Sequence, residues 1–275
     1  MRNDRGELIL TGGYTNAGRV VRVGDTVRRP RHRTSASTHA VLEHLERVRF
    51  DGAPRFLGVD ESGREVLSYI EGCAVTDPYP DWALTDGALI SVARLMRRYH
   101  EAMQSFDPAA YRWPNALPER FRGDLVTHND PNLDNVIFAD DRAVALIDFD
   151  LASPGSTVWD VACAARLWAP LREECDVPGR IRRRVLARLR LFVDAYGLSD
   201  ADREQLADAI PEAHEWCYRI VRGAVADGHE TFQQVWREGA RSRAERTRRW
   251  LSTHSGLIRA AVRDAGAGLV TVNRY

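Results

Sequence analysis

The sequence predicts an α+β chain in which a small antiparallel sheet with one helix precedes a larger, mainly helical portion interrupted by one short hairpin. Three observations predict it. The first seventy residues alternate in polarity between turn residues, long apolar stripes of helical period run beyond residue 85, and two short apolar runs flank Asp140-Asp141.

The elements follow in order. Leu8–Thr11 is a short apolar run, Gly12 and Gly13 open a loop, and Arg19–Val23 turns at Gly24-Asp25 into Thr26–Arg29, ended by Pro30. Ser37–Val48 carries Ala40, Val41, Leu45 and Val48 on one helical face. Arg55–Val59 and Glu65–Ile70 read as strands about an Asp60–Gly63 turn, and Glu71–Trp82 as a connector. Thr85 caps a helix with Leu89, Val92, Met96, Tyr99 and Met103 on one face. Val136–Phe138 and Val144–Ile147 form the hairpin. A further stripe from Ile181 to Tyr196 is stopped by Gly197, Ser199 caps the next helix, Pro211 opens another, and Phe232 and Trp236 share a later one.

Composition excludes several functions. Of 275 residues, 39 are basic and 39 acidic, so no net positive field draws nucleic acid or an anionic membrane. The arginines of Arg180–Arg190 and Arg241–Arg249 interleave with apolar or acidic residues, as on solvated helix faces. No apolar run reaches the roughly 18–20 residues that cross a bilayer. The first ten residues are charged where a signal peptide is apolar, so the cytoplasm is the expected location. Four cysteines form no CxxC pair and read as thiols. There is no lysine, so a phosphate contact falls to arginine or backbone.

Chemistry concentrates in Val126–Asp150, VTHNDPNLDNVIFADDRAVALIDFD. A hairpin brings its ends together, so Asp130, Asn135 and Asp148 can converge. A carboxylate and an amide oxygen suit Mg²⁺ held with substrate phosphates, and a second carboxylate can accept the proton of a hydroxyl. The run HNDPNLDN followed by IDFD resembles the catalytic and metal-binding segments of the aminoglycoside phosphotransferase and choline kinase-like family, enzymes of protein kinase-like fold.

The resemblance covers nearly the whole chain. It implies a bilobal architecture, residues 1–71 forming a nucleotide-binding lobe and 72–275 a catalytic and substrate-binding lobe, with a hinge at about 67–72. It implies ATP, or GTP, with Mg²⁺ as cofactors and a small-molecule hydroxyl as acceptor. By position, Asp130 matches the catalytic base, Asn135 and Asp148 the metal ligands, His128 the brace of the catalytic loop and Asp160 its buttress; Asp150 matches a second acidic position after the metal ligand. Thr15 and Asn16 fall in the phosphate-covering loop. Arg28, or second Arg29, stands where the family places its phosphate-binding lysine. Glu43 lies one turn beyond the usual position of that lysine's glutamate partner, where Thr38 and His39 fall instead. In the hinge, the backbones of Ser68 and Ile70 match the adenine contacts and Leu67 the back of the pocket.

For the acceptor, Glu212, Glu215, Asp227 and Glu230 are available to a cationic sugar, and the stripe from Ala213 to Ala224 reads as core packing. Two other readings stand beside the small-molecule kinase. One is a catalytically silent kinase-like binding protein, prompted by the missing lysine and the displaced glutamate. The other is a metal hydrolase built on His128, Asp130 and Asp148, which lacks the further histidines of a zinc site.

Overall fold

The computed structural model describes residues 6–10 and 18–263. Strands β1 (Leu8–Ile9), β2 (Val21–Val23) and β3 (Thr26–Arg29) lead into helix α1 (Ser35–Arg47), and β4 (Phe56–Val59) and β5 (Glu65–Ser68) follow. They form a five-stranded antiparallel sheet in the order β1-β2-β3-β5-β4. Gly24, at φ 59°, makes the β2–β3 turn where the sequence places it. In β3, Val27 and Arg29 face the interior, because successive side chains alternate across a strand. α1 lays Val41, Leu42 and Leu45 against the core.

The connector contributes β6 (Cys73–Ala74), an edge strand on β8 (Val136–Ala139), which pairs with β9 (Arg142–Leu146). Asp140 and Asp141 both have positive φ, 49° and 58°, as a two-residue hairpin turn requires. The long helix α2 (Asp86–Met103) is capped by Thr85, whose Oγ1 accepts from the Ala88 amide, and buries Leu89, Val92, Met96, Tyr99 and Met103. A two-stranded pair not legible in the sequence, β7 (Leu125–Thr127) with β10 (Ser153–Gly155), brings the two ends of the catalytic segment side by side.

The remaining elements are α3 (Thr157–Trp168), α4 (Val185–Tyr196), α5 (Asp200–Ala226), α6 (Glu230–Val235), α7 (Arg241–Thr253) and α8 (Ser255–Arg263). α4 starts later than its apolar stripe because Gly179–Arg184 winds as a 3-10 turn, and Gly197 ends it at φ 80°. Pro211 does not open a helix; it lies inside α5. The buried series Leu206, Ile210, Ala213 and Trp216 continues across it, so packing on both sides carries the helix through the lost hydrogen bond. Among the described residues no helix is long and apolar enough to cross a membrane.

His214, on α5, is buried and its Nε2 donates to the Ala244 carbonyl, 3.0 Å. Burial first, then the charge of Arg166, pushes its pKa from 6.5 down to about 4. Above pH 6.5 both folded and unfolded chains carry it neutral. As pH falls from 6.5 to about 4 only the unfolded chain takes up the proton, and folding loses up to about 3 kcal/mol. His214→Gln, which can still donate to that carbonyl, is expected to flatten the pH dependence of the urea midpoint across this window.

Candidate active site

The catalytic segment is fixed from below by α3. Asp160 is fully buried at the start of that helix, with Ser156 as its cap. One carboxylate oxygen accepts from the His128 amide at 2.8 Å, the other from the Asn129 amide at 2.8 Å, and His100 Nε2 donates to the first at 2.8 Å. Burial opposes its ionisation, but the His100 hydrogen bond and charge hold it below the usual carboxylate range. These bonds let Asn129 sit at φ 67° and turn the chain toward Asp130.

His128 is fully buried, and burial lowers its pKa, so it is neutral. A carbonyl only accepts; the 3.0 Å contact with Ile147 O therefore puts the proton on Nε2. Nδ1 then accepts from the Asp130 amide at 3.3 Å. His128 thus ties the Asp130 loop to the far strand of the hairpin.

Asn135 and Asp148 stand at the two ends of that hairpin, which the Ile147 amide closes onto Asn135 O at 2.9 Å. Asn135 Nδ2 donates to the Asp130 carbonyl at 2.9 Å and to its carboxylate at 3.1 Å. Its side-chain oxygen is left for another partner. Asp148 sits in the left-handed region, φ 63°. Burial and then Asp148 raise the Asp130 carboxyl to about 7, against the pull of Arg166. Burial and then Asp150 raise Asp148 to about 6, against Arg29. Among the described residues no three His, Cys, Asp or Glu side chains are arranged to hold a metal unaided. The Asn135 and Asp148 oxygens are hard donors, a partial set whose chemistry would suit a magnesium ion completed by phosphate and water.

Asn135 and Asp148 line a cavity of about 260 Å³ between the five-stranded sheet and the hairpin. Val27, Leu67, Ile70 and Ile137 make its apolar walls. Its basic residue is Arg29, not Arg28. Arg28 lies on the opposite face of β3, its Nε 3.7 Å from Asp60, and does not line the cavity. The apolar residue Val27 marks the inward face, and a period of two puts Arg29 on it; that signal was available in the sequence.

Arg29 is buried and makes three carboxylate contacts: Nε to Glu65 at 2.6 Å, Nη1 to Asp148 at 3.0 Å and Nη2 to Asp150 at 2.7 Å. His32 Nε2 lies 3.0 Å from the same Asp150 oxygen. The glutamate partner comes from β5, not from α1: Glu65 is the cross-strand partner of Arg29 in the β3–β5 ladder. Glu43 is exposed. From α1, His39 reaches Glu65 at 2.9 Å while stacking on Phe56. Both hinge positions, Ser68 and Ile70, line the cavity with Leu67; the Ser68 amide is taken by the Arg55 carbonyl at 2.9 Å, and Ile70 follows the strand. Thr15 and Asn16 lie outside the described residues.

The sequence profile of the phosphotransferase enzyme family matches residues 112–196, the stretch that holds Asp130, Asn135, Asp148 and Asp160. Over that stretch the chain is similar to that family. A relative of this chain, the Trifolitoxin immunity protein of Rhizobium leguminosarum bv. trifolii, is 29% identical over 267 residues, which are 93% of this chain and 98% of that protein. A choline/ethanolamine kinase family protein from Mesorhizobium loti superposes with a TM-score of 0.62 at 18% identity, over 94% of this chain and 92% of that chain. The ADP-bound aminoglycoside phosphotransferase APH(2'')-Ib superposes with a TM-score of 0.53 at 14% identity, over 92% and 94%. These two structures establish the kinase-like fold.

Proposed function

We propose that this protein is a phosphotransferase that moves the γ-phosphate of ATP, or GTP, to a hydroxyl of a small molecule, with Mg²⁺ bound by Asn135 and Asp148. One observation carries the reading: Asp130 lies one hydrogen bond, 3.1 Å, from Asn135, and Asn135, Asp148 and Arg29 line one cavity together with a mainly apolar remainder. The apolar walls suit a purine, with the Ile70 main chain as its edge contact, and Arg29 suits the phosphates. A bound magnesium ion supplies charge neutralisation for the phosphate oxygens. Asp130 orients the acceptor hydroxyl and takes its proton, while the Asn135 amide fixes the carboxylate that does so. Residues 1–71 and 72–275, meeting at about 67–72, act in this reading as the nucleotide lobe and the catalytic lobe.

The relative named an immunity protein extends over nearly the whole chain and favours a protective setting, in which the phosphorylated alcohol is an inhibitory compound.

Incubating the protein with ATP, Mg²⁺ and a panel of hydroxyl compounds should give a mass gain of one phosphate on an acceptor. Binding without any transfer to any acceptor would identify a silent kinase-like protein instead. Asp148→Asn removes a charge from the metal site, so calorimetry should show Mg-ATP affinity falling at least about tenfold, or about 1.4 kcal/mol. Unchanged affinity would remove Asp148 from that role.

A further inference from the structure

Building on the kinase reading, we infer that the acceptor is anionic: an alcohol that also bears a carboxylate or a phosphate, held by an arginine-lined cavity beside Asp130. A second cavity, about 170 Å³, is bordered by Arg166 of α3, Arg172 of the loop after it, His214 of α5, and Arg243 and Thr247 of α7. Among the described residues no carboxylate lines it. It adjoins the Asp130 loop, because α3, which carries Arg166, holds both flanks of Asp130: the Asn129 amide donates to Asp160 at 2.8 Å and Trp168 Nε1, two residues beyond Arg166, donates to the Pro131 carbonyl at 2.9 Å.

The arginines here differ from their neighbours. On α7, Arg246 is paired with Asp176 at 2.7 Å, Arg241 with Glu245 at 2.9 Å, and Arg248 with Glu215. Among the described residues neither Arg166 nor Arg172 has such a carboxylate contact, and the Nε of each is buried with no hydrogen-bond partner. Arg166 gives an Nη to the Cys217 sulfur at 2.7 Å. Buried donors without acceptors are costly, and guanidinium forks match carboxylate and phosphate oxygens, so an oxyanion satisfies what the fold leaves open. Thr247 adds a hydroxyl. The neutral imidazole of His214 adds no charge.

The acidic residues that would hold a cationic sugar are engaged or elsewhere. Glu212 is paired with Arg120 and Glu215 with Arg248, and neither these nor Asp227 and Glu230 line the cavity. In this reading a small anion sits between Arg172 and Arg243 and extends its hydroxyl end past Arg166 toward Asp130.

The test has two arms. In the first, the full chain with Mg-ATP is offered hydroxy acids, phosphate monoesters of polyols, amino alcohols and amino sugars of matched size, and phosphorylation is read by mass. Hydroxy acids or phosphate monoesters should be preferred at least tenfold; which of the two is used separates a carboxylate site from a phosphate site. Arg243→Gln, at the exposed rim, should raise KM for that acceptor at least tenfold with kcat within about twofold and KM for ATP unchanged. In the second arm, succinate and inorganic phosphate are titrated in excess ADP. Affinity should fall at least tenfold in Arg172→Gln/Arg243→Gln, with circular dichroism confirming that the variant folds. Preference for amino alcohols or amino sugars, or anion affinity equal in variant and wild type, overturns the anionic acceptor and leaves the kinase intact. Transfer to no compound, with anion binding that the substitutions weaken, overturns the kinase reading and leaves the cavity's chemistry standing.

Discussion

Asp130→Asn is expected to lower kcat by about 10²–10⁴ while leaving nucleotide affinity and fold unchanged. The substitution keeps an oxygen that can accept from Asn135 Nδ2, so the 2.9 Å and 3.1 Å contacts that hold the loop have a partner. What it removes is the site that receives the hydroxyl proton. Phosphoryl transfer depends largely on alignment and charge neutralisation, so residual turnover is expected rather than none. Stability should not fall. Burial and Asp148 hold the Asp130 carboxyl up near 7, so above that pH the folded chain carries a charge that its surroundings disfavour and the unfolded chain solvates freely. A neutral amide removes that cost, and the thermal midpoint at pH 8 should be equal or higher. A coupled assay for ADP release in saturating acceptor, beside a thermal melt, measures both. Wild-type turnover in this variant would take the proton-accepting role away from Asp130.

What the chain discloses in advance is what is local. Asp130, Asn135 and Asp148 lie within nineteen residues, and the turn at Asp140-Asp141 is visible in the sequence, so their convergence follows from one hairpin. Asp160 is likewise tied to the loop by a helix start a short way downstream. The Arg29–Glu65 pair is not local. It depends on β3 lying beside β5, a sheet order that alternation within each strand does not specify, and on inward and outward faces that one residue's slip exchanges, as between Arg28 and Arg29. The arginine-lined cavity is further from view, since residues 166, 172, 214 and 243 meet only through the packing of α3, α5 and α7. Pro211 misleads for a related reason: proline's local preference for a first turn is overridden by the apolar face that α5 buries on both sides of it.

Removing Arg29 alone should be the most destabilising single change near the site. Its guanidinium is the cation shared by Glu65, Asp148 and Asp150, and Glu65 has no exposed surface. Arg29→Met leaves Glu65 buried with only His39 beside it, and leaves Asp148 facing Asp150 with only His32 beside the latter. Breaking a buried pair in this way costs about 3–5 kcal/mol, visible as a lower denaturant midpoint. Arg29→Lys should fall between, because one ammonium cannot span three carboxylates that a planar fork reaches from separate nitrogens. Glu65→Leu alone strands the arginine less severely, since Asp148 and Asp150 still hold it. The double variant Arg29→Met/Glu65→Leu replaces the pair by apolar side chains of similar reach, so its loss should be smaller than the two single losses added together, a coupling of at least about 1 kcal/mol. That variant also separates stability from function: folded, it should still bind Mg-nucleotide at least tenfold more weakly, because Arg29 is the basic residue lining the 260 Å³ cavity. Strictly additive losses would mean that the pair stabilises nothing jointly. Full nucleotide affinity in the folded double variant would move phosphate binding away from Arg29.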